Sequence, residues 1–294
     1  MAQISGEQVR NFFHSLVPAR LRGDIPVVPV VRLTGAIGFS TPLRPGITLA
    51  GVARLLERAF SAKRAKAVAI LINSPGGSPV QSHLVFRRIR QLADEKKLPV
   101  IVFIEDVGAS GGYMIACAGD EIYCDPFSIV GSIGVVGATF GLNKAIEKLG
   151  IERRVYTAGD RKLTLDPFLP ENPEDVAHVK TIQKDIHEGF IALVKERRNS
   201  KLSGPESALF SGEYWSGQQA VRLGLVDGFG EVRSLLRARF GEKVRLPLIA
   251  ERGWFGRRLP GVGTQAAAGL VGGNLAEDFL SAMETRAIWA RYGL

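Results

Sequence analysis

Two short, continuous apolar runs most constrain the fold of this chain. Residues 67–72 read Ala-Val-Ala-Ile-Leu-Ile, and residues 100–104 read Val-Ile-Val-Phe-Ile. Runs of this length without polar alternation are typical of strands that are buried on both faces of a parallel sheet. Glycine-rich turns and helical patterns come after both runs, so the sequence predicts an α/β fold built from βαβ units.

The rest of the pattern divides the chain into three parts. We predict an N-terminal arm at residues 1–24, one catalytic domain at 25–248 and a C-terminal tail at 249–294. Further strands are predicted at residues 25–33, 121–124 and 153–157. Helices are predicted at residues 48–63, 79–95, 110–118, 142–149, 173–198, 216–223 and 231–240, with Thr48 as an N-cap.

Charge and composition narrow the possible partners. The net charge of +9 favours contact with an anionic surface, either nucleic acid or inner-leaflet lipid, although a basic solvated surface explains it equally well. No RNA-binding motif accompanies the charge, so we expect no nucleic-acid partner. Two cysteines, Cys117 and Cys124, make no disulfide framework and indicate a reducing compartment.

No signal peptide or transmembrane helix is predicted. The first 24 residues lack the apolar stretch of a signal peptide, and no other stretch is long and apolar enough to span a bilayer. We therefore expect a cytoplasmic protein and leave open a peripheral contact with the inner membrane.

Ser110 is the candidate nucleophile. It lies in Ala-Ser-Gly-Gly-Tyr at residues 109–113, between a predicted buried strand and a predicted helix. Sites in open α/β sheets form beyond the carboxyl ends of strands, and Gly111 and Gly112 carry no side chain to block a substrate. A helix-capping serine followed by two packing glycines is the alternative interpretation of this segment.

Lys162 is the candidate general base for Ser110. A serine hydroxyl needs a base, and a lysine amine can accept its proton only when neutral. Burial and the lack of a nearby carboxylate favour the neutral amine, so the neighbouring Asp160 and Asp166 must point away from it. A solvated loop lysine is the alternative.

Two further glycine-rich segments could complete such a site. Asn-Ser-Pro-Gly-Gly at residues 73–77 comes after the first apolar run and could leave backbone N–H groups free for an oxyanion. Ser132, between Gly131 and Ile133, could hydrogen-bond the lysine amine and orient it. Each segment taken alone is also compatible with an ordinary turn.

The histidines argue against other kinds of active site. None of them lies at a predicted strand end or in a glycine-rich turn, which disfavours a Ser-His-Asp triad. Their spacing with carboxylates does not match a metal site, and no phosphate-binding or dinucleotide-binding glycine pattern occurs, so we expect no metal and no cofactor. These residues are His14, His83, His178 and His187.

Taken together, these motifs resemble those of the signal peptide peptidase A family, which includes the SohB-like proteases. The resemblance extends over about residues 26–248. It depends on the order and spacing of residues 73–77, 109–113, 131–135, Lys162 with Pro167-Phe168, 214–220 and 224–227.

This resemblance implies a bacterial Ser-Lys peptidase with the ClpP/crotonase fold. By position, Ser110 would be the nucleophile, Lys162 the general base and Ser132 the residue that orients the lysine. The Gly77 N–H would be the main oxyanion donor, joined by that of Gly111. Family members form oligomers and cut signal peptides or membrane-associated proteins where small or apolar residues flank the cut.

The resemblance is incomplete at the N-terminus, because many family members carry a membrane anchor there and this chain shows none. A peripheral contact through the basic charge, the arm and the tail would restore the link to the membrane. Two other functions stay open: a non-catalytic peptide-binding scaffold, and a crotonase-like acyl-CoA enzyme.

Overall fold

The computed structural model describes residues 25–38, 46–159, 161–250, 283 and 286–293. The predicted arm, most of the predicted tail and Asp160 lie outside the described residues. In the described ranges no helix combines the length and the apolar character that a membrane crossing requires.

In the described parts of residues 25–250 there are seven strands, eight α-helices and one 3-10 helix (Asn199–Lys201). The strands are β1 (Val30–Thr34), β2 (Val68–Ser74), β3 (Val100–Ala109), β4 (Glu121–Cys124), β5 (Ile129–Gly131), β6 (Tyr214–Ser216) and β7 (Gly228–Phe229). The helices are α1 (Leu49–Phe60), α2 (Pro79–Lys96), α3 (Gly111–Ala116), α4 (Asn143–Lys148), α5 (Pro173–Arg198), α6 (Glu206–Leu209), α7 (Gly217–Arg222) and α8 (Val232–Phe240).

The strands form one sheet in which β3 is the central member. The order is β1-β2-β3-β4-β7, and every neighbouring pair along this path is parallel. The ten-residue β3 pairs with β4 through its first half and with β5 through its last three residues, and β6 adds to β5 in the antiparallel direction. The predicted α/β class with a parallel sheet is confirmed.

Strand β2 shows why its sequence is apolar without alternation. Val68, Ile70 and Ile72 point into a core formed with α1, α2, α3 and α5. Ala67, Ala69 and Leu71 point to the opposite face, into a second core that contains Leu236 of α8. Because both faces are covered, every position in the run is apolar.

Most of the predicted elements are present. Helix α5 has the predicted bounds, and the Thr48 side chain caps α1 by accepting a hydrogen bond from the Gly51 N–H. The strand predicted at residues 153–157 is wrong: this segment has no regular structure and is exposed. A strand is stable only when a neighbour completes its hydrogen bonds, and no described strand lies beside this one.

Candidate active site

Ser110 lies at the carboxyl end of β3, where the chain turns into α3. Its backbone has φ 52° and ψ −123°, which is unusual for a residue other than glycine. The Ser110 N–H donates a hydrogen bond of 2.7 Å to the Gly131 carbonyl at the end of β5. Such strained strand-to-helix turns cluster at active sites.

The loop from Asn73 to Gly77 lies directly against this turn. Gly76 has φ 99°, and a Cβ added to it would lie 2.7 Å from the Ser110 Cβ and 2.9 Å from the Gly111 nitrogen. Ile37 fixes the loop, since its N–H donates to the Gly76 carbonyl and its carbonyl accepts from the Ser78 N–H, each at 2.8 Å. Only glycine fits at position 76, because any side chain would displace the serine.

Two backbone N–H groups beside Ser110 have no acceptor in the described part of the chain. One belongs to Gly77, the residue after Gly76, and the other to Gly111, the first residue of α3. Both residues were predicted as oxyanion donors. An unpaired N–H close to a reacting serine is the group that such a donor requires.

Ser132 is brought next to Ser110 by strand pairing. Ala109 of β3 and Gly131 of β5 are register partners, so the two serines come directly after paired residues at the ends of neighbouring strands. Ser132 has φ 51°, is 4% exposed and donates its N–H to the Glu213 carbonyl at 2.7 Å. Within the described residues its hydroxyl makes no hydrogen bond.

An open groove borders Ser132 on its β6 side. Its volume is about 610 Å³. The Glu213 carbonyl that holds Ser132 belongs to this groove, and the Trp215 ring packs against Gly131. The residues that line the groove are Ser211, Gly212, Glu213, Tyr214, Trp215 and Gln219.

Lys162 is exposed and lies in a turn at residues 161–165. In the described chain its amine makes no hydrogen bond and no ion pair, with Ser110 or with any other residue. Nearby Asp166 is engaged elsewhere: the Phe168 N–H and the Arg153 guanidinium hold the pKa of Asp166 below its ordinary value. The structure therefore groups Ser110, Ser132, Gly77 and Gly111 but does not join Lys162 to them.

Polar contacts connect helix α3 and Arg198 of α5 to residues 224–227. The Tyr113 hydroxyl donates to the Leu225 carbonyl at 2.7 Å, and burial raises the pKa of Tyr113 well above its ordinary value. Arg198, 2% exposed, donates to the Gly224 carbonyl and pairs with Asp227 at 2.9 Å. These contacts tie α3, which begins directly after Ser110, to the segment at residues 224–227.

Other nucleophiles and metal ligands are not supported. Burial raises the pKa of Cys117 to about 12, so its thiol stays protonated. Of the described histidines, none hydrogen-bonds to Ser110; His187 of α5 lies 3.0 Å from the Ile133 carbonyl through Nε2. Among the described residues, no group of three or more His, Cys, Asp and Glu side chains is arranged to hold a metal ion.

Two features of the site are not visible in the sequence. The left-handed backbone of Ser110 and Ser132 is unexpected, because both are residues other than glycine. Tyr292, in the predicted tail, donates a hydrogen bond from its hydroxyl to the Pro75 carbonyl. No local pattern indicates a contact between residues so far apart in the chain.

Comparisons with known proteins agree with the predicted family. A sequence model of peptidase family S49 matches residues 92–243. Serine protease SPPA, chloroplastic, of Arabidopsis thaliana is 32% identical over 235 residues, which cover 78% of this chain and 34% of that protein. A probable protease SohB of Buchnera aphidicola subsp. Schizaphis graminum is 34% identical over 189 residues, which cover 64% of this chain and 54% of that protein.

A more similar relative has a different name. A protein named Na(+)/H(+) antiporter NhaA, from Brucella abortus (strain 2308), is 55% identical over 284 residues, or 95% of this chain. This chain spans only 38% of the length of that protein. Among solved structures, a membrane-bound stomatin-specific protease overlaps 76% of this chain and 93% of its own, with a TM-score of 0.44 and 18% identity.

Proposed function

This chain belongs to peptidase family S49, and we propose that it is a serine endopeptidase with Ser110 as nucleophile and Lys162 as general base. The observation that carries the proposal is the strained turn at Ser110 between the unpaired N–H groups of Gly77 and Gly111. The proposal does not extend to ion transport. The match to family S49 lies within this chain, whereas most of the protein named as an antiporter lies outside the part that aligns with this chain.

The proposed reaction proceeds through an acyl-enzyme. Ser110 Oγ attacks the carbonyl carbon of the peptide bond while the neutral Lys162 amine takes the hydroxyl proton. The oxyanion accepts hydrogen bonds from the Gly77 and Gly111 N–H groups, each contributing roughly 2.7–4 kcal/mol. The leaving amine takes the proton from the lysine, and water activated by the same lysine then cleaves the ester. Ser132 would accept or donate a hydrogen bond that orients the lysine.

A second copy of the chain completes the site in this proposal. The segment at residues 136–156 carries large exposed apolar side chains, including Phe140 (81% exposed) and Tyr156 (91% exposed), and Lys162 comes shortly after it. Exposed apolar patches of this kind mark association surfaces. Covering the patch with another copy would withdraw Lys162 from water, which favours its neutral amine.

The first experiment measures hydrolysis of unfolded casein and of a short apolar fluorogenic peptide. We expect Ser110→Ala and Lys162→Ala to abolish turnover, and Lys162→Arg to fail as well, since a guanidinium cannot act as a neutral base. Lys66→Ala is the matched control, because Lys66 is exposed and precedes β2 at the opposite end of the sheet from Ser110. Turnover that survives in Ser110→Ala would refute the proposal.

The wild type and the same variants also separate the peptidase from the two alternatives, a crotonase-like acyl-CoA enzyme and a non-catalytic peptide-binding scaffold. An acyl-CoA enzyme would consume thioesters without an acyl group on Ser110, whereas a peptidase would show that adduct by mass spectrometry. A scaffold would bind peptides equally well with Ser110→Ala and would never turn them over.

The assembly is tested by light scattering and by the dependence of specific activity on protein concentration. We expect Phe140→Asp to shift the protein towards monomer and to reduce turnover in parallel. Phe127→Asp is the control, because Phe127 is an exposed phenylalanine outside the 136–156 segment. A fully active monomer would refute the requirement for a second copy.

The proposed substrates are unfolded or membrane-associated polypeptides with small or apolar residues near the cut. The net charge of +9 supports a peripheral contact with anionic lipid that would bring the enzyme to such substrates. Flotation with vesicles of anionic and of zwitterionic lipid tests this contact, and equal recovery with both would contradict it.

A further inference from the structure

The last described residues of the chain pack against the candidate active site. Residues 286–293, called here the C-terminal segment, contain a helical turn at 286–290. Tyr292 in this segment is 6% exposed and forms a small apolar cluster with Val107 and Ala109 of β3, flanked by Ile129 and Trp289. Ala109 immediately precedes Ser110, so the Tyr292 ring packs against the end of the strand that leads to the candidate nucleophile.

The polar contacts of the segment reach two more parts of the site. The Tyr292 hydroxyl donates to the Pro75 carbonyl at 3.4 Å. The Tyr214 hydroxyl donates to the Arg291 carbonyl at 3.3 Å, and the rings of Tyr214 and Tyr292 meet edge to face with centroids 5.1 Å apart. The segment thus touches the Asn73–Gly77 loop, the end of β3 and β6 together.

The contact with Pro75 matters because this proline adjoins the two glycines of the loop. Pro75 is buried and precedes Gly76 and Gly77, whose backbones both have positive φ. Ile37 holds this loop at Gly76 and Ser78 through two backbone hydrogen bonds, but two consecutive glycines leave its Pro75 side with wide conformational freedom unless a further contact holds it. In the described residues, the Tyr292 hydroxyl is the single donor to the Pro75 carbonyl.

We propose that Tyr292 is a positioning residue, which holds the Asn73–Gly77 loop so that the Gly77 N–H faces the reacting carbonyl beside Ser110. The inference rests on the proposed peptidase function and extends it, since it makes the C-terminal segment part of the working enzyme. The hydrogen bond is long, so the packed ring carries most of the effect and the hydroxyl a smaller part.

The test compares Tyr292→Phe and Tyr292→Ala with wild type, using the full chain and the fluorogenic peptide. We expect Tyr292→Ala to lower kcat about tenfold or more with KM changed less than about twofold, because donors to an oxyanion act mainly on the transition state. We expect Tyr292→Phe to lower kcat only about twofold, the effect of a weak hydrogen bond.

Leu236→Ala separates positioning from a loss of stability. Leu236 is fully buried in the core cluster with Ile101 and Phe103, at the other end of β3 from Tyr292. This variant should lower the unfolding temperature at least as much as Tyr292→Ala but leave kcat unchanged. A parallel fall of kcat in both variants, or an unchanged kcat in Tyr292→Ala, would overturn the inference.

Hydrogen exchange provides a measurement that does not need activity. In a Ser110→Ala background, adding Tyr292→Ala should speed exchange of the hydrogen-bonded Gly76 and Ser78 amides and leave the amides of residues 68–72 unaffected. Unchanged exchange at these amides would overturn the inference even if the peptidase proposal stands. Absence of Ser110-dependent turnover in the wild type would instead overturn the peptidase proposal, while the exchange data still decide whether Tyr292 holds the loop.

Discussion

Replacing Gly76 by alanine tests the geometry of the site most directly. The substitution has two separate costs. The first is the backbone: alanine at φ 99° is strained by about 1–2 kcal/mol. The second is contact, because the new methyl group would lie 2.7 Å from the Ser110 Cβ and 2.9 Å from the Gly111 nitrogen. Real Cβ atoms do not approach so closely, so the serine turn must move.

Gly241→Ala isolates the first cost. Gly241 ends α8 with φ 92°, almost the value at Gly76, but a Cβ added there meets nothing within 4 Å. We expect Gly241→Ala to lose about 1–2 kcal/mol of unfolding free energy, a fall of about 2–8 °C in Tm for a domain of this size. Its kcat should equal that of the wild type.

Gly76→Ala should lose at least as much stability and, in addition, most of its activity. A displacement of about 1 Å at the reacting group can cost about a hundredfold in rate, so we expect kcat to fall by about that factor or more. The assay is peptide turnover together with urea unfolding on both variants. Equal kcat in Gly76→Ala and Gly241→Ala would refute the argument that close contact with Ser110 requires glycine at this position.

Three further predictions concern Asp227, the two buried cysteines and the proposed base. Burial alone would raise the pKa of Asp227. Hydrogen bonds from Arg198, Lys201 and the Ile122 N–H outweigh that effect and hold the pKa of Asp227 below its ordinary value. The stabilisation from the Asp227 carboxylate is therefore present above about pH 4 and is lost as the pH falls through its lowered pKa. Asp227→Asn should lower the free energy of unfolding by about 3 kcal/mol at pH 7, measured by urea unfolding. The difference in unfolding free energy between this variant and the wild type should shrink below about pH 4. Burial raises the pKa values of Cys117 and Cys124 to about 12, so iodoacetamide at pH 8 should label neither thiol by mass spectrometry until urea unfolds the protein. Turnover should rise from mildly acidic to alkaline pH because only the neutral Lys162 amine accepts a proton, and a rate that stays flat down to about pH 5 would count against it.

Elements with strong local signals could be predicted from the sequence. Helix α5 is bounded by an asparagine cap followed by proline and by a cluster of basic residues, and its predicted range matches the structure. The apolar run at residues 67–72 indicates burial on both faces because six apolar residues without polar alternation are typical of a strand that is covered on both sides.

The remaining features depend on contacts between distant segments. Residues 153–157 are rich enough in β-formers to suggest a strand, yet no described strand edge is available beside them. The positive φ of Ser110 accompanies the hydrogen bond between its N–H and the Gly131 carbonyl, which no local pattern reveals. The docking of Tyr292 against β3 is likewise a tertiary contact, and it joins a residue of the predicted tail to the predicted domain.

The parallel direction of β1, β2, β3 and β4 has a practical consequence for labelling. All turns that form the candidate site leave the same end of the sheet, whereas the chain returns through exposed residues such as Lys66 at the opposite end. Because Cys117 and Cys124 are both buried and are the two cysteines of the chain, Lys66→Cys would offer a single reactive thiol. A fluorophore or surface tether attached there would leave the substrate side unobstructed, which makes single-molecule observation of turnover feasible without further changes to the protein.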